Sequence, residues 1–209
     1  MKLKKIENIE AEKNKIIEAG FRCFIKKGYA ATSVNDIVKE YGKSKGNLYY
    51  YFTNKEDILI EMIKKWTNET FEMASKLREN YETVIDFLND FIDGSFDFFD
   101  KNNDFFRVKL EFSAICCHNK KIKVLYTEAQ ERWASLFMPF EKEFITPKHF
   151  KIFLTSFFCV IDGIILRFVL WKNFFNKEFK KQIKKDILLI LKEKIIRSRP
   201  IAVQAFSNA

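Results

Sequence analysis

The chain has 209 residues and a formal net charge of +9; 47% of the residues are hydrophobic, with 24 phenylalanines but only six glycines and three prolines. An intrinsically disordered chain is excluded, because this apolar content is enough to build a core in one or two small domains. The few glycines and prolines also argue against a turn-rich β fold and favour long helices.

The positive charge is concentrated at the front of the chain. Residues 1–56 carry twelve lysines and arginines against seven aspartates and glutamates, which is more than half of the net excess. A basic module favours a polyanionic partner, whose binding is driven by the release of counterions. A solvated charged surface has the same composition, so charge alone leaves both interpretations open.

The four cysteines, Cys23, Cys116, Cys117 and Cys159, each stand among apolar residues. We expect them to be small buried residues, with redox sensing as the alternative. The sequence contains no Cys-x-x-Cys pair, and the lone His118 is a weak ligand, so no metal site is predicted. The first residues do not lead into the apolar segment of a secretory signal, so we expect a cytoplasmic protein.

In chain order, the first predicted helix runs from about Asn8 to Lys27, and Gly28 ends it. We expect it to brace the segment that follows. Its apolar residues recur at helical spacing and are Ile9, Ile16, Ile17, Phe21 and Phe24.

Residues 32–57 are the most informative segment, which we interpret as two short helices joined by a tight turn, with a third helix behind them. Each helix start has a residue that can cap it: Ser33 with Asp36 three residues later, then Ser44, then Asn54. Gly42 can adopt a positive φ at low cost and so close the first of these helices.

The two short helices have an apolar side and a polar side. If their apolar residues pack together, the second helix turns long donors, an amide and phenols outward, which suits the DNA major groove. The pair is therefore interpreted as a helix-turn-helix, with a plain helical corner as the alternative. The apolar residues are Val34, Ile37, Val38, Leu48 and Phe52, and the outward ones are Lys45, Asn47, Tyr49 and Tyr50.

Several short motifs follow one another in order: Gly28-Tyr29, Thr32-Ser33-Val34, Ile37-Val38, Gly42, the run from Ser44 to Phe52, and Lys55-Glu56-Asp57-Ile58-Leu59. Together they resemble the DNA-binding domain of the TetR (tetracycline-repressor-like) family, over residues 10–69. The resemblance implies a ligand-binding and dimerisation domain at residues 70–198, and residues 199–209 are expected to be a disordered tail. It also implies DNA contacts: Lys45, Gly46 and Tyr49 with base edges, Thr32, Ser33, Tyr50 and Lys55 with phosphates, and Ser44 and Asn47 with either.

Apolar periodicity predicts six further helices after this pair, so the chain is predicted to be all-α with about nine helices. Their approximate bounds are 54–78, 82–101, 104–117, 121–144 with a kink or break at Pro139, 147–171 and 176–197.

Aromatic residues on the fifth to eighth helices are candidates for the small-molecule pocket that the resemblance implies. Ordinary core packing is the alternative for most of them. A lipophilic or aromatic ligand is favoured, with Glu111 among the polar groups that could orient it. The pocket candidates are Phe98, Phe99, Phe105, Phe106, Phe112, Trp133, Phe137 and Phe157.

The eighth helix is apolar on nearly all sides between Ile152 and Trp171. Asp162 and Arg167 fall inside this stretch and argue against a membrane span. We expect one side to pack within the protomer and the other against a second copy, with Gly163 permitting close approach. The predicted dimer contacts are Phe158, Ile161, Ile165, Phe168, Ile187, Ile190 and Leu191.

No catalytic motif is recognisable in the sequence, so neither an enzyme nor a cofactor is predicted. The observations predict a ligand-responsive DNA-binding transcriptional regulator. We expect a homodimeric repressor that a small-molecule effector releases from a palindromic double-stranded DNA operator. The alternative is a small-molecule-binding or membrane-surface helical protein without sequence-specific DNA binding.

Overall fold

The computed structural model describes the backbone of residues 2–144, 146–171 and 175–196, and side chains between residues 6 and 189 of those ranges. In this part of the chain there are nine α-helices, one 3-10 helix and no strand, so the predicted all-α class is confirmed. The predicted tail, residues 199–209, lies outside the described residues. The α-helices are α1 (Lys2–Lys27), α2 (Val34–Tyr41), α3 (Lys45–Tyr51), α4 (Lys55–Arg78), α5 (Val84–Lys101), α6 (Asn103–Cys116), α7 (Lys120–Ser135), α8 (Pro147–Leu170) and α9 (Lys177–Ile196), and the 3-10 helix is Met138–Glu143.

The segment after α7 differs most from the predicted helices. α7 ends at Ser135, and the 3-10 helix that follows has Pro139 in its first turn. Proline lacks an amide hydrogen, and its ring clashes with the preceding turn, so it breaks an α-helix. α1 also begins earlier than predicted, at Lys2 instead of Asn8.

Backbone contacts divide the chain into two compact units. The N-terminal unit comprises the described parts of residues 1–72 and 102–130, and the C-terminal unit those of residues 73–101 and 131–209. Most of α4 therefore belongs to the N-terminal unit, together with α6 and the first part of α7. The extents of the two domains predicted from the sequence stay predictions.

The core of the N-terminal unit joins residues that are far apart in the sequence. α1 approaches α4 closely at Gly20, where a Cβ would lie 2.8 Å from Cγ2 of Ile58. The ring of Trp66 meets those of Phe21 and Phe105 edge-on, each at 4.6 Å between centroids. α6 and α7 thus contribute to the core beneath α1 to α4. The buried residues include Ile16, Phe24, Ile37, Leu48, Val108, Phe112 and Ile122.

The C-terminal unit has a core of packed phenylalanine rings. Phe137 is fully buried, with its ring centroid 5.6 Å from that of Phe87, 6.0 Å from Phe153 and 5.1 Å from Phe157. Helices α5 and α9 are also joined by charge, since Nζ of Lys184 lies 2.5 Å from the carboxylate of Asp93. Aromatic packing and exposed ion pairs thus hold this unit together.

One side of α8 carries several apolar residues that are exposed among the described residues, together with Arg167. Ile152, Val160, Leu166 and Leu170 are 39–55% exposed and lie at helical spacing along one stripe, with Gly163 among them. We call these five residues the α8 stripe. By length and composition, α8 is the one helix among the described residues that could cross a membrane, and 28% of its most apolar window is buried. A helix that packs against its own core on one side and against another protein on the other has the same composition.

Candidate nucleic-acid interface

α2 is delimited as the sequence predicts. The Ser33 hydroxyl accepts from the Asp36 amide at 3.1 Å, and the Ser33 amide donates to the Asp36 carboxylate at 2.9 Å. This capping box satisfies two amides that the helix leaves without partners. The helix ends at Gly42, whose φ of 78° is left-handed. Both the cap and the turn glycine are confirmed.

α3 is anchored on one side and open on the other. The Ser44 hydroxyl accepts from the Asn47 amide at 3.2 Å, and Leu48 is fully buried. On the opposite side Tyr49 is 45% and Tyr50 is 73% exposed. Lys45, Tyr49 and Tyr50 therefore face outward as predicted, whereas Asn47 is half-buried.

Lys45, Tyr49 and Tyr50 form a continuous surface, which we call the α3 ridge. Lys45 is exposed, and its Nζ lies 5.8 Å from the centroid of the Tyr49 ring, one helical turn away. The ring of Tyr50 meets that of Tyr51 edge-on at 4.9 Å. An ammonium group and phenol hydroxyls can donate to the acceptor edges of bases and to phosphate oxygens.

Gly46 lies next to the α3 ridge, and the described residues around it leave room for a side chain. A Cβ at this position would have its nearest neighbour, the hydroxyl oxygen of Ser44, at 4.0 Å. Glycine inside a helix costs roughly 0.5–1 kcal/mol relative to alanine. A glycine without an internal use is expected where another molecule comes close to the backbone.

The basic residues beside α2 are largely paired with carboxylates. Arg22 and Lys26 both bind Glu40, at 2.6 and 3.2 Å, and Lys27 binds Asp36 at 2.6 Å. The hydrogen bond from Arg22 and then that from Lys26 lower the pKa of Glu40, and the bond from Lys27 lowers that of Asp36. These pairs join the end of α1 to α2.

Glu12 of α1 joins the turn between α2 and α3. Its carboxylate lies 2.7 Å from Nζ of Lys15, 2.6 Å from Nζ of Lys43 and 2.6 Å from the Tyr41 hydroxyl. These bonds, led by that from Lys15, lower the pKa of Glu12 to about 2. The Tyr41 hydroxyl is also 2.6 Å from Oδ1 of Asn47, so Asn47 is oriented by the same network.

Thr32 and Lys55 have partners inside the protein. Thr32 is 2% exposed, and its hydroxyl donates to the carbonyl oxygen of Gly28 at 2.8 Å. Nζ of Lys55 donates to the carbonyl oxygens of Tyr29, Ala30 and Thr32, at 2.8, 3.1 and 2.8 Å. The burial of Thr32 argues against a phosphate contact by its hydroxyl. The phosphate contact of Lys55 stays a prediction, beside a role in holding this turn.

The aromatic residues predicted to line one ligand pocket are divided between the two units. Phe112 is 2% exposed and packs in the core beneath α1 to α4, which favours the core-packing alternative for this residue. The pocket role of the other residues stays a prediction. In the N-terminal unit are Phe105, Phe106 and Phe112, and in the C-terminal unit are Phe98, Phe99, Trp133, Phe137 and Phe157.

Three residues predicted to contact a second copy are buried in their own protomer. Ile165 is 3%, Phe168 0% and Ile187 7% exposed. Side chains enclosed in this way cannot also cover a partner, so these assignments are corrected to core residues. The other predicted contacts are Phe158 and Ile161, which are half-buried, and Ile190 and Leu191, whose side chains lie outside the described residues.

The cysteines differ in exposure. Cys23 is buried and Cys116 is half-buried, whereas Cys117 and Cys159 are exposed. Burial raises the pKa of the Cys23 and Cys116 thiols, which disfavours the reactive thiolate. The prediction of small buried residues is confirmed for Cys23 and wrong for Cys117 and Cys159.

The sequence suggests Glu111 as a polar residue of the ligand pocket, but in the structure Glu111 contacts the turn that precedes α2. Its carboxylate accepts from the amide of Tyr29 at 2.6 Å, across 82 residues of chain. Glu12 is another contributor that the sequence does not single out. No local pattern marks either residue, because their partners become neighbours only in the folded chain.

Comparison with known families agrees with this geometry. Residues 16–62, from α1 to α4, match the family model of bacterial regulatory proteins, tetR family. The HTH-type transcriptional regulator QacR from Staphylococcus aureus is 39% identical over 74 residues, which are 34% of this chain and 39% of QacR. The fatty acid metabolism regulator protein from Bacillus subtilis is 38% identical over 65 residues, 31% of this chain and 34% of that protein. The chain thus aligns with less than half the length of these curated relatives.

Solved structures extend the similarity to the fold of most of the chain. The transcriptional regulator FadR from Bacillus subtilis, in complex with stearoyl-CoA, has a TM-score of 0.72 at 22% identity, over 85% of this chain and 96% of that one. A protein from Saccharomonospora viridis in complex with choline has a TM-score of 0.73 at 21% identity, over 86% and 96%. At these identities the similarity concerns the fold alone. The N-terminal segment is thus similar to bacterial regulatory proteins of the tetR family, and the fold of most of the chain is similar to that of solved transcriptional regulators.

Proposed function

We propose that the chain is a ligand-responsive transcriptional regulator that binds a double-stranded DNA operator through α2 and α3. The α3 ridge beside the open Gly46 is the observation that carries the proposal. Lys45 and Tyr49 would face base edges, and Tyr50 and the capping residues Ser33 and Ser44 would face phosphates. QacR, a relative in this segment, is named an HTH-type transcriptional regulator, which supports the proposal.

The proposed regulator is a homodimer that uses the α8 stripe. Among the described residues the apolar side chains of the stripe are exposed, and a Cβ at Gly163 would meet nothing within 4 Å. A second copy of α8 could therefore approach closely and bury these side chains. A two-fold axis would present two α3 helices to successive major grooves, about 34–36 Å apart, which requires a palindromic operator.

The proposed effector is a lipophilic or aromatic small molecule that releases a repressor from its operator in the cytoplasm. The ring-rich core of the C-terminal unit supports this class of ligand. Relatives of the same fold were solved with stearoyl-CoA and with choline, so the fold accepts ligands of different chemistry. An effector can shift DNA binding only by the difference between its affinities for the two states.

Selection of bound duplexes from a random DNA library tests the proposal. We expect enrichment of an inverted repeat with half-sites about one helical turn apart, bound with a Kd on the order of 10⁻⁸ M or tighter at physiological salt. The same protein is then titrated with vesicles that contain phosphatidylserine. Vesicle binding without any enriched DNA sequence would overturn the proposal in favour of a membrane-surface protein.

A further inference from the structure

We propose that Glu111 of α6 is a positioning residue for DNA binding, because its carboxylate fixes the turn at residues 28–33 from which α2 starts. The inference rests on the proposed function of α2 and α3. It adds a residue that lies outside the segment matched by the family model, residues 16–62.

The contact lies where α1 ends. Gly28 has a φ of 77°, and its amide donates to the carbonyl oxygen of Phe24 at 2.8 Å. The next amide, that of Tyr29, donates to Oε2 of Glu111 at 2.6 Å. The carboxylate also lies beside Gly28, where a Cβ would be 3.5 Å from Oε1 and 3.6 Å from Oε2. A charged acceptor forms a stronger hydrogen bond with a backbone amide than a neutral one does.

The turn is held from a second direction by Lys55. Its Nζ donates to three carbonyl oxygens of the turn and lies 4.5 Å from the centroid of the Tyr29 ring. A carboxylate that accepts from the turn and an ammonium that donates to it therefore clamp the same few residues. Ser33, the N-cap of α2, follows immediately. A displacement of the turn would move the start of α2 with it.

Glu111 is carried by a buried part of α6. Val108 and Phe112, three residues before it and one after it, are 1% and 2% exposed and belong to the core beneath α1 to α4. The carboxylate is thus placed before DNA arrives. Ordering the turn then adds no entropic cost to binding, which is the advantage of a preorganised site.

The direction in which Glu111→Ala changes the affinity for DNA tests the proposal. Removing a negative charge from a DNA-binding protein ordinarily strengthens its attraction to phosphates. We predict the opposite here, a loss of operator affinity of about 10-fold, the order expected for a hydrogen bond to a charged group. The dependence of affinity on salt keeps its slope, because no phosphate contact is removed. The control is Glu128→Ala on α7, which removes an exposed carboxylate and leaves affinity unchanged or slightly higher.

Glu111→Gln separates positioning from general stability, because the amide oxygen can still accept from Tyr29. We expect it to recover most of the lost affinity. Hydrogen exchange of the amides at residues 28–33 is expected to speed up in Glu111→Ala and not in Glu111→Gln, at a temperature where both are folded. If the alanine variant does not fold, Glu111→Asp replaces it, since its shorter side chain cannot reach the amide.

Equal operator affinity of wild type and Glu111→Ala, or no recovery in Glu111→Gln, would overturn the inference. A wild-type protein that selects no DNA sequence would instead overturn the proposed function. Hydrogen exchange is measured without DNA. Unchanged exchange at residues 28–33 in Glu111→Ala would therefore refute the proposed role of Glu111 in fixing the turn, whatever the DNA measurements show. The two failures are therefore distinguishable.

Discussion

Gly20 and Gly46 show that one residue type serves different purposes within a single unit. At Gly20 a Cβ would collide with Ile58, so the packing of α1 on α4 requires glycine. At Gly46 the nearest atom to such a Cβ is the hydroxyl oxygen of Ser44 at 4.0 Å, so packing among the described residues does not require glycine there. Both lie in helices with negative φ, since the positive-φ glycines of the described residues are Gly28 and Gly42.

We predict that Gly46→Ala raises the free energy of unfolding by about 0.5–1 kcal/mol and weakens operator binding. The added methyl group lowers the entropy of the unfolded chain but stands where DNA would approach the backbone. Thermal denaturation and fluorescence anisotropy with operator DNA measure the two effects.

Gly94 of α5 provides the matched control, because a Cβ there would meet nothing within 4 Å among the described residues. Gly94→Ala should give a similar gain in stability and leave DNA binding unchanged. Unchanged DNA binding by Gly46→Ala would show that DNA does not come close to this backbone.

At the scale of helices, α1, α2 and α3 are fixed to one another by carboxylates as well as by the core. Glu12 connects α1 to the turn after α2, and Asp36 and Glu40 connect the end of α1 to α2. All three have pKa values below their ordinary range, because lysine or arginine side chains stabilise the charged form. Acid should therefore loosen this arrangement.

The pH dependence follows from the direction of the shift. The folded-state pKa of Glu12 is about 2, against an ordinary value of 4.5. Its contribution to stability is fully present above pH 4.5 and is lost as the pH falls from 4.5 to about 2. We predict that the difference in Tm between wild type and Glu12→Gln is constant near neutral pH and shrinks towards zero over this acid range.

Calorimetry at a series of pH values measures this difference, with Glu18→Gln, an exposed carboxylate on the same helix, as the control. A Tm difference for Glu12→Gln that stays the same from neutral pH down to pH 2 would contradict the proposed role of the carboxylate network.

The sequence predicts the local parts of this arrangement and misses the long-range ones. The Ser33–Asp36 capping box and the turn at Gly42 depend on residues within one helical turn, so spacing reveals them. The partners of Lys55 and Glu111 are 23 to 26 and 82 residues away, and no short pattern encodes them. The side of α8 that faces the core is ambiguous for a related reason: a helix that is apolar all round does not show which face is covered.

At the scale of the whole molecule, the α8 stripe is the surface that we expect a second copy of the chain to cover. Leu166 is 46% and Leu170 55% exposed on a helix whose opposite side, at Ile165 and Phe168, is buried. Burial of these side chains against a partner would contribute roughly 25 cal/mol of favourable free energy for each Å² of apolar surface covered. Dimerisation through this stripe would also set the spacing of the two α3 helices.

We predict that Leu166→Glu converts the dimer to a monomer, because a carboxylate at the centre of an apolar interface would be buried without a partner. Light scattering coupled to size-exclusion chromatography measures the mass. Met73→Glu on α4, another exposed apolar residue, is the control and should stay dimeric. A dimer that persists in Leu166→Glu at micromolar concentration would place the interface elsewhere.

The affinities of wild type and Lys45→Ala for operator and for unrelated DNA test most directly whether the α3 ridge reads base sequence. Lys45 is exposed and lies one turn from Tyr49. We predict that Lys45→Ala weakens operator binding by about 10- to 100-fold, as for the loss of a good base contact, and weakens binding to unrelated DNA much less. An equal loss on both DNAs would show that Lys45 contacts only the backbone and would contradict the proposed role of the ridge.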